Sequence, residues 1–170
     1  MYKFPFETKN ISKDKIAIIT KDNIKITYGE LLRKVNYVSN LIFSRSVCLI
    51  KTSNSLEGLI IYLACLQKKS VAILLDNNTK KNSFYEIINN FKPNYIFSYL
   101  NDLENINYKK YKNEVVSSFF ILKKFKRYNI NKNIALLIST SGSTGSVKFA
   151  KISYKNLKSN TINIINYLKI

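Results

Sequence analysis

The sequence has little of several residue types: it contains no tryptophan or histidine, four glycines, two prolines and two cysteines. Cys48 and Cys65 lie in apolar stretches without the CxxC spacing of a metal or redox site, so we expect them to be core residues in a reducing cytosol. The longest apolar run, residues 59–66, is far shorter than the roughly 20 residues that span a bilayer. The first residues also lack the apolar core of a signal peptide. These absences favour a cytoplasmic protein without a membrane partner.

Acidic residues are scarce too: the sequence has 10 aspartates and glutamates against 28 lysines and arginines, which gives a formal net charge of +18. Such a charge invites a nucleic-acid function. The basic residues are scattered and mostly lysine, however, whereas a nucleic-acid surface concentrates them and favours arginine. The abundance of lysine, asparagine and isoleucine is the bias that an AT-rich coding sequence produces everywhere. Charge alone supports the hypothesis of a nucleic-acid-binding protein, and we expect no nucleic-acid partner.

The order of apolar and polar residues predicts the fold class. With 170 residues, 46% of them hydrophobic, the chain can bury one core. Strand and helix patterns alternate, which predicts an α/β fold with a largely parallel sheet flanked by helices. A hairpin at residues 16–27 leads into a helix through a capping box of Thr27 and Glu30. Later helices are expected after N-caps at Ser55 and Thr79, and the last of these is placed at residues 84–91.

The remaining segments are assigned from the same patterns. Further strands are predicted at residues 47–50, 71–75, 95–98 and 116–122, and a buried strand at 135–139. Residues 100–114 have no clean period and are predicted to be a loop. Residues 123–133 are predicted to be a solvated basic connector.

The segment after the last predicted strand carries the chemistry. From Thr140 to Lys148 it reads Thr-Ser-Gly-Ser-Thr-Gly-Ser-Val-Lys, with two of the four glycines and five hydroxyl side chains. Glycines let successive backbone N–H groups point into one concavity, hydroxyls add donors and a lysine adds a positive charge, so such a loop suits polyphosphate. It does not match the GxxxxGK[ST] pattern. By composition alone, a flexible surface turn is an equally good interpretation.

Three segments in order resemble the AMP-binding, adenylate-forming superfamily of acyl-CoA synthetases, peptide-synthetase adenylation domains and luciferases. Residues 137–157, LISTSGSTGSVK followed by ISYKNL, are similar to the family's TSGSTGxPKG loop, short strand and SHxNL helix start. Residues 26–32, ITYGELL, are similar to its TYxEL helix start. Residues 55–76, from SLEG through LACL to AILLD, are similar to its SLExxxxxLAxLxAGAxxxPLDP stretch. The resemblance covers roughly residues 15–160.

The sequence departs from the family pattern at a few positions. Val147 stands where the family usually has proline, whose ring fixes the φ angle, so the loop is less restricted at this position. Phe149 stands where glycine is usual, so close packing there is expected to differ. Lys68, Lys69 and Ser70 replace the small-residue turn before the strand at 71–75. The sequence thus differs from the family pattern both inside and beside the predicted phosphate-binding loop.

The resemblance implies an ATP-dependent reaction in which a carboxylic acid is joined to AMP with release of pyrophosphate. Most family members then pass the acyl group to the thiol of CoA or of a carrier protein. By this resemblance, the β- and γ-phosphates of ATP with Mg²⁺ would be bound by residues of the loop: Thr140, Ser141, Gly142, Ser143, Thr144, Gly145 and Lys148. No catalytic residue and no metal ligand is assigned.

The resemblance also implies that the chain is incomplete. The family's aromatic-Gly-x-Thr-Glu segment, ribose-binding aspartate, hinge and carboxy-terminal lysine are not found in these 170 residues. We therefore expect residues 1–170 to form a single partial adenylation domain, the amino-terminal part of a ligase, which ends just after the phosphate-binding loop. Such a part is expected to be inactive alone and marginally stable. The alternative is a non-catalytic nucleotide-binding module that needs a complementing chain.

Overall fold

The computed structural model describes residues 12–51, 53–98, 107–117, 119–140 and 148–169. It begins with the predicted hairpin, in which β1 (Ile16–Ile19) pairs antiparallel with β2 (Lys25–Thr27). Helix α1 (Tyr28–Leu41) follows at once. Its capping box is confirmed, because the Glu30 backbone N–H donates to the Thr27 hydroxyl at 3.2 Å and the Thr27 N–H donates to the Glu30 carboxylate at 2.8 Å. Two orphan backbone donors of the helix start are thereby satisfied.

Seven strands form the main sheet, in the spatial order β6-β7-β5-β3-β4-β8-β9. The four central strands, from β5 to β8 in that order, run parallel to one another. The remaining pairs, at the two sides, are antiparallel. The strands are β3 (Val47–Lys51), β4 (Val71–Leu75), β5 (Tyr95–Ser98), β6 (Tyr108–Tyr111), β7 (Phe119–Leu122), β8 (Ile134–Thr140) and β9 (Lys148–Ser153).

The helices cover both faces of this sheet. Helix α2 (Leu56–Gln67) connects β3 to β4 and packs with α1 on one face, in a cluster that includes Cys48 and Cys65. Helix α3 (Lys81–Phe91) connects β4 to β5 and packs on the other face through Phe84. The expected α/β architecture with a parallel centre is confirmed. Alternate residues of β3, β4 and β5 serve the two clusters, as the period of two in a strand requires.

Three local predictions need correction. Thr79 does not cap α3, which begins at Lys81 without a side-chain cap, because the Thr79 hydroxyl instead donates to the Asp76 carbonyl at 2.7 Å. The predicted loop at 100–114 contains β6, an edge strand in which Tyr108 alone is buried. The predicted strand at 116–122 begins later, at Phe119, because the Asn113 carboxamide accepts bonds from the N–H groups of Val115 and Val116 in a turn.

A buried asparagine joins distant parts of the sheet. The Asn94 side chain accepts a hydrogen bond from the Val47 N–H at 2.9 Å and donates one to the Lys126 carbonyl at 2.7 Å. Asn94 is 1% exposed. It therefore ties the start of β3 and the segment after β7 to the start of β5, and its polar atoms have the partners that burial demands.

Candidate functional site

The two strands that flank the Ser/Thr/Gly segment form the base of a hairpin. Strand β8 ends at Thr140 and β9 begins at Lys148, and these two residues pair in register. The Thr140 hydroxyl donates to the Lys148 carbonyl at 3.3 Å. The structure thus brings the first and last of the predicted phosphate-binding residues together, both exposed. The other five, Ser141, Gly142, Ser143, Thr144 and Gly145, lie outside the described residues.

The hairpin base lies at the carboxyl edge of the parallel strands. Strand β8 is parallel to β4, with Ile138 beside Leu74, so β8 reaches Thr140 at the edge where β4 reaches Asp76. Helices α2 and α3, which follow the neighbouring strands β3 and β4, lie on opposite faces of the sheet. In open α/β sheets, ligands bind outside the carboxyl ends of the strands, near the point where the connecting helices change from one face of the sheet to the other.

A buried lysine at this edge was not predicted. Lys51, the last residue of β3, is 4% exposed. Its ammonium donates to the Thr79 carbonyl at 2.9 Å and lies 5.0 Å from the centre of the Phe84 ring. Burial lowers the pKa of Lys51, and the negative charge of Asp76 opposes that shift. Because this cation is already bonded to the β4–α3 turn, its contribution is to hold the turn in place.

The buried strand predicted at 135–139 is confirmed only for its first part. Ala135, Leu136 and Leu137 are buried, whereas Ile138 is 40% exposed. The sheet residues closest to the candidate site are therefore less covered than a continuous apolar run suggests. Burial of the first part anchors the hairpin base, because Leu136 and Leu137 contribute to the clusters on the two faces.

Helix α4 (Tyr154–Leu168) follows β9 directly, as expected from the segment at 152–157. The Ser153 hydroxyl accepts from the Asn156 N–H at 3.1 Å, and the Asn156 side chain accepts from the Ser153 N–H at 3.0 Å. The Tyr154 N–H donates to the Asn133 carbonyl at 3.0 Å. These bonds fix the end of β9, and so the strand on which Lys148 lies, against the start of β8.

The first residue of α4 has an unusual environment. The Tyr154 ring packs against the larger core cluster. Within the described part of the chain, its hydroxyl is a buried side-chain oxygen with no hydrogen-bond partner. Burial raises the pKa of Tyr154 to about 12, and nearby Arg45 opposes the shift. Sequence reasoning offers no signal for this feature, because a tyrosine at the start of a helix is ordinarily half exposed.

The described ranges hold no group of three or more histidine, cysteine, aspartate or glutamate side chains placed to bind a metal ion. In the same ranges, no helix has both the length and the apolar character that crossing a bilayer requires.

Comparison with known proteins now identifies the class. A family model described as AMP-binding enzyme matches residues 6–169. Since this is nearly the whole sequence, the chain belongs to the AMP-binding enzyme family, as the three sequence segments suggested. A search among curated proteins found no match.

Solved structures show the same fold at low sequence identity. Apo MatB from Rhodopseudomonas palustris is 18% identical with a TM-score of 0.67, over 93% of this chain and 35% of its own. The Bacillus subtilis o-succinylbenzoate CoA synthetase MenE, in complex with the acyl-adenylate intermediate OSB-AMP, is 19% identical with a TM-score of 0.68, over 91% and 43%. The NpsA N-terminal subdomain from Klebsiella oxytoca, in complex with 3-hydroxyanthranilyl-AMSN, is 22% identical with a TM-score of 0.53, over 78% and 35%.

The chain thus has the fold of the amino-terminal portion of adenylate-forming ligases. It spans 35% to 43% of the length of these solved structures.

Proposed function

We propose that this chain is the amino-terminal, phosphate-binding part of an ATP-dependent ligase that converts a carboxylic acid and ATP into an acyl-adenylate and pyrophosphate. The observation that supports this most directly is the pairing of Thr140 with Lys148 at the carboxyl edge of the parallel strands. Both ends of the Ser/Thr/Gly segment lie at this edge, and ligand binding at the carboxyl ends of the strands is usual for open α/β sheets, which supports the proposal for a member of the AMP-binding enzyme family.

In the proposed reaction, a carboxylate oxygen attacks the α-phosphorus of ATP. A bond forms between that oxygen and phosphorus, the bond from the α-phosphorus to the bridging oxygen breaks, and the electron pair leaves with pyrophosphate. Residues 140–145 would bind the β- and γ-phosphates through N–H groups and hydroxyls, and Lys148 would neutralise charge on the departing pyrophosphate. This contribution is positioning and electrostatic stabilisation, which act most strongly on the charge that develops during the transfer. Mg²⁺ would arrive with ATP, and no residue is assigned to it.

We further propose that residues 1–170 form one partial domain and do not adenylate alone. We do not assign to these residues the contacts to adenine, ribose and the acyl group, nor the role of the family's carboxy-terminal lysine. The complete enzyme would bind the carboxylic acid and the CoA or carrier-protein thiol that accepts the acyl group. A cytoplasmic location fits this proposal, because both thiols are buried and free.

The alternative is a nucleotide-binding module that works with a complementing chain. Helix α4, in which not one residue is buried, offers a surface that such a chain could cover. Translating all three forward frames beyond codon 170 distinguishes the cases. Family motifs in any of these frames indicate a ligase whose activity belongs to a longer product, and their absence leaves the partner-dependent module.

The proposed site is tested by MgATP binding to the 170-residue chain, measured by equilibrium dialysis with pyrophosphate as competitor. Lys148→Ala is expected to weaken binding about tenfold or more, because a hydrogen bond to a charged group contributes about 1.5–3 kcal/mol. Lys151→Ala is the matched control, since Lys151 is an exposed lysine of the same strand, paired with Leu137 away from the hairpin end. Equal weakening by both variants, or no saturable binding, contradicts the assignment.

A second assay tests the proposed division of labour. Pyrophosphate–ATP exchange with a panel of carboxylic acids is expected to stay at background for this chain alone. Acid-dependent exchange by the 170 residues alone would show that the chain needs nothing further and would refute the proposed incompleteness.

A further inference from the structure

The edge of the sheet opposite the candidate site carries a concentration of positive charge. Four connections lead into the starts of the parallel strands: residues 42–46, 68–70, 92–94 and 123–133. Their 22 residues include nine lysines and arginines and no aspartate or glutamate, against 28 and 10 in all 170 residues. The nine are Arg45, Lys68, Lys69, Lys92, Lys123, Lys124, Lys126, Arg127 and Lys132. A bias in coding composition raises lysine everywhere, so it does not explain this concentration at one edge.

The longest of these connections runs along the edge. Residues 123–133 lead from β7 to β8, and the starts of β5, β3 and β4 lie between those two strands. The Lys126 carbonyl accepts a hydrogen bond from the buried Asn94 side chain, and the Ile130 carbonyl accepts one from the Arg45 guanidinium. The backbone of the connection is thereby held against the sheet, while all five of its basic residues are exposed.

Two phenylalanine rings are exposed among these charges. Phe43 is 63% exposed and Phe125 is 38% exposed, and their ring centres are 5.1 Å apart with the planes at 67°. Both are fixed by the buried Tyr95, whose hydroxyl accepts from the Phe43 N–H at 3.0 Å and whose ring contacts that of Phe125. We call the nine basic residues with Phe43 and Phe125 the amino-edge surface. Adjacent exposed apolar side chains within a polar rim mark an interaction site.

The composition of the amino-edge surface favours a lipid membrane over nucleic acid. Seven of its nine basic residues are lysines, which act as point charges and lack the arginine fork. Connections form the surface, so it offers neither a helix nor a strand pair that fits a major groove. The two rings meet edge to face and present no parallel faces on which successive bases could stack. An anionic bilayer needs no such geometry, because each nearby lysine adds attraction and apolar side chains enter the headgroup layer.

We propose that the amino-edge surface binds the protein peripherally to membranes with anionic headgroups. Phe43 enters the headgroup layer, and the basic side chains lie against lipid phosphates and carboxylates. This goes beyond the proposed function and does not depend on it. Peripheral binding needs no spanning segment, so the short apolar runs, from which we expected no membrane partner, do not oppose it. The carboxyl edge faces away from the amino edge, so the candidate phosphate site would stay open to solution.

The experiment is co-sedimentation of the 170-residue chain, and of any longer product of the same gene, with phosphatidylcholine vesicles that contain or lack phosphatidylserine. We expect binding to the phosphatidylserine vesicles only, and a decrease as added salt screens the charges. Equal binding to both kinds of vesicle, or binding to neither, overturns the proposal. Binding that the 170 residues show and a longer product lacks also overturns it, because the surface is then covered by the rest of the chain.

Two variants locate the contact. The double variant Lys124→Gln with Lys126→Gln is expected to weaken vesicle binding about tenfold or more, because each basic residue near an anionic surface adds attraction. Phe43→Ala is expected to weaken it about tenfold, through the loss of buried apolar area. Circular dichroism must show that both variants are folded. Unchanged binding in either variant refutes the assigned surface.

The β1–β2 hairpin provides matched controls, because it lies at the other end of the 14-residue helix α1, about 20 Å away. Lys21→Gln with Lys25→Gln removes two exposed lysines there, and Ile24→Ala removes an apolar side chain that is 56% exposed. Both should leave vesicle binding unchanged. Equal weakening by these controls would mean that net charge or general stickiness, and not the amino-edge surface, binds the vesicles.

Nucleic acid is tested as the competing partner class, with a fluorescent single-stranded RNA and a DNA duplex at the same salt concentration. Tighter binding of either one than of the anionic vesicles, lost in the Lys124 and Lys126 double variant, would overturn the lipid assignment. MgATP binding should be unchanged in Phe43→Ala. The failure of vesicle binding therefore leaves the proposed function standing, and a failure of MgATP binding leaves the membrane surface standing.

Discussion

Replacing Tyr154 with phenylalanine is expected to stabilise the protein. Among the residues that the structure describes, the buried Tyr154 hydroxyl has no hydrogen-bond partner, while its ring packs against the core. Phenylalanine keeps the ring contacts and removes the oxygen. An unsatisfied buried polar group costs about 1–3 kcal/mol, so Tyr154→Phe should raise the free energy of unfolding by about 1 kcal/mol or more. For a domain of this size, that corresponds to roughly 2–4 °C in Tm.

The matched control is Tyr108→Phe, the same chemical change at a hydroxyl that has a partner. The buried Tyr108 hydroxyl donates to the Pro93 carbonyl at 2.7 Å. Its removal leaves that carbonyl without this donor and should lower the free energy of unfolding by about 1–2 kcal/mol. Urea unfolding followed by far-ultraviolet circular dichroism measures both variants without relying on tyrosine fluorescence.

The pH dependence provides an independent check. Burial raises the pKa of Tyr154 to about 12, above the value near 10 of an unfolded chain. The folded state therefore holds this proton more tightly, and the contribution to stability is lost as the pH rises from about 10 to 12. Tyr154→Phe should lack that loss. If the variant is destabilised as much as Tyr108→Phe, the hydroxyl has a partner and the reasoning is refuted.

Three further predictions concern the fold. Thr27→Ala should cost about 1 kcal/mol. Hydrogen bonds from Thr27 lower the pKa of Glu30. In the wild type, their contribution to stability should therefore be present above the ordinary glutamate pKa and be lost as acid protonates Glu30. Urea unfolding from pH 6 to 3 measures this loss. Asn94→Ala should cost about 2–4 kcal/mol, measured in the same way, because Val47 and Lys126 each lose a buried partner. In the wild type, the free energy of unfolding should rise with pH just below pH 10, because burial lowers the pKa of Lys51 and the unfolded state binds more protons there. Lys51→Met should lack that rise.

Each of these has a contradicting outcome. An unchanged acid profile in Thr27→Ala would mean that the Thr27 hydroxyl does not contribute to the pKa shift of Glu30 through its own bond to the carboxylate. A loss under 0.5 kcal/mol for Asn94→Ala would place it among ordinary surface substitutions. Identical alkaline profiles for the wild type and Lys51→Met would show that the Lys51 ammonium is solvated.

Local features were predicted well because their partners lie close in sequence. The caps at Thr27 and Ser55 each use a donor three residues away. The apolar runs of β3, β4 and β5 are strands buried on both faces, which read as continuous hydrophobic segments. The Ser/Thr/Gly segment was singled out by its composition, and its assignment to phosphate binding stays a prediction.

Features that depend on distant partners were missed. Strand β6 has the sequence Tyr-Lys-Lys-Tyr, and only its pairing with β7 makes it a strand. Thr79 was assigned as a cap from its type, but its hydroxyl is used by the Asp76 carbonyl in a turn. The burial of Lys51 depends on Phe84 and on the Thr79 carbonyl, which a strand pattern cannot reveal.

The amino-acid sequence by itself determined the order of strands and helices apart from β6, the family and the composition of the candidate phosphate-binding segment. These depend on backbone preferences, caps and a contiguous motif. Tertiary structure decided that β5 lies on the far side of β3 from β4, that Thr140 and Lys148 meet in register, and that the end of α4 extends past the core. The physical reason is that strand order, register and helix coverage are set by which surfaces meet after the chain has crossed the sheet, and such contacts leave no local pattern.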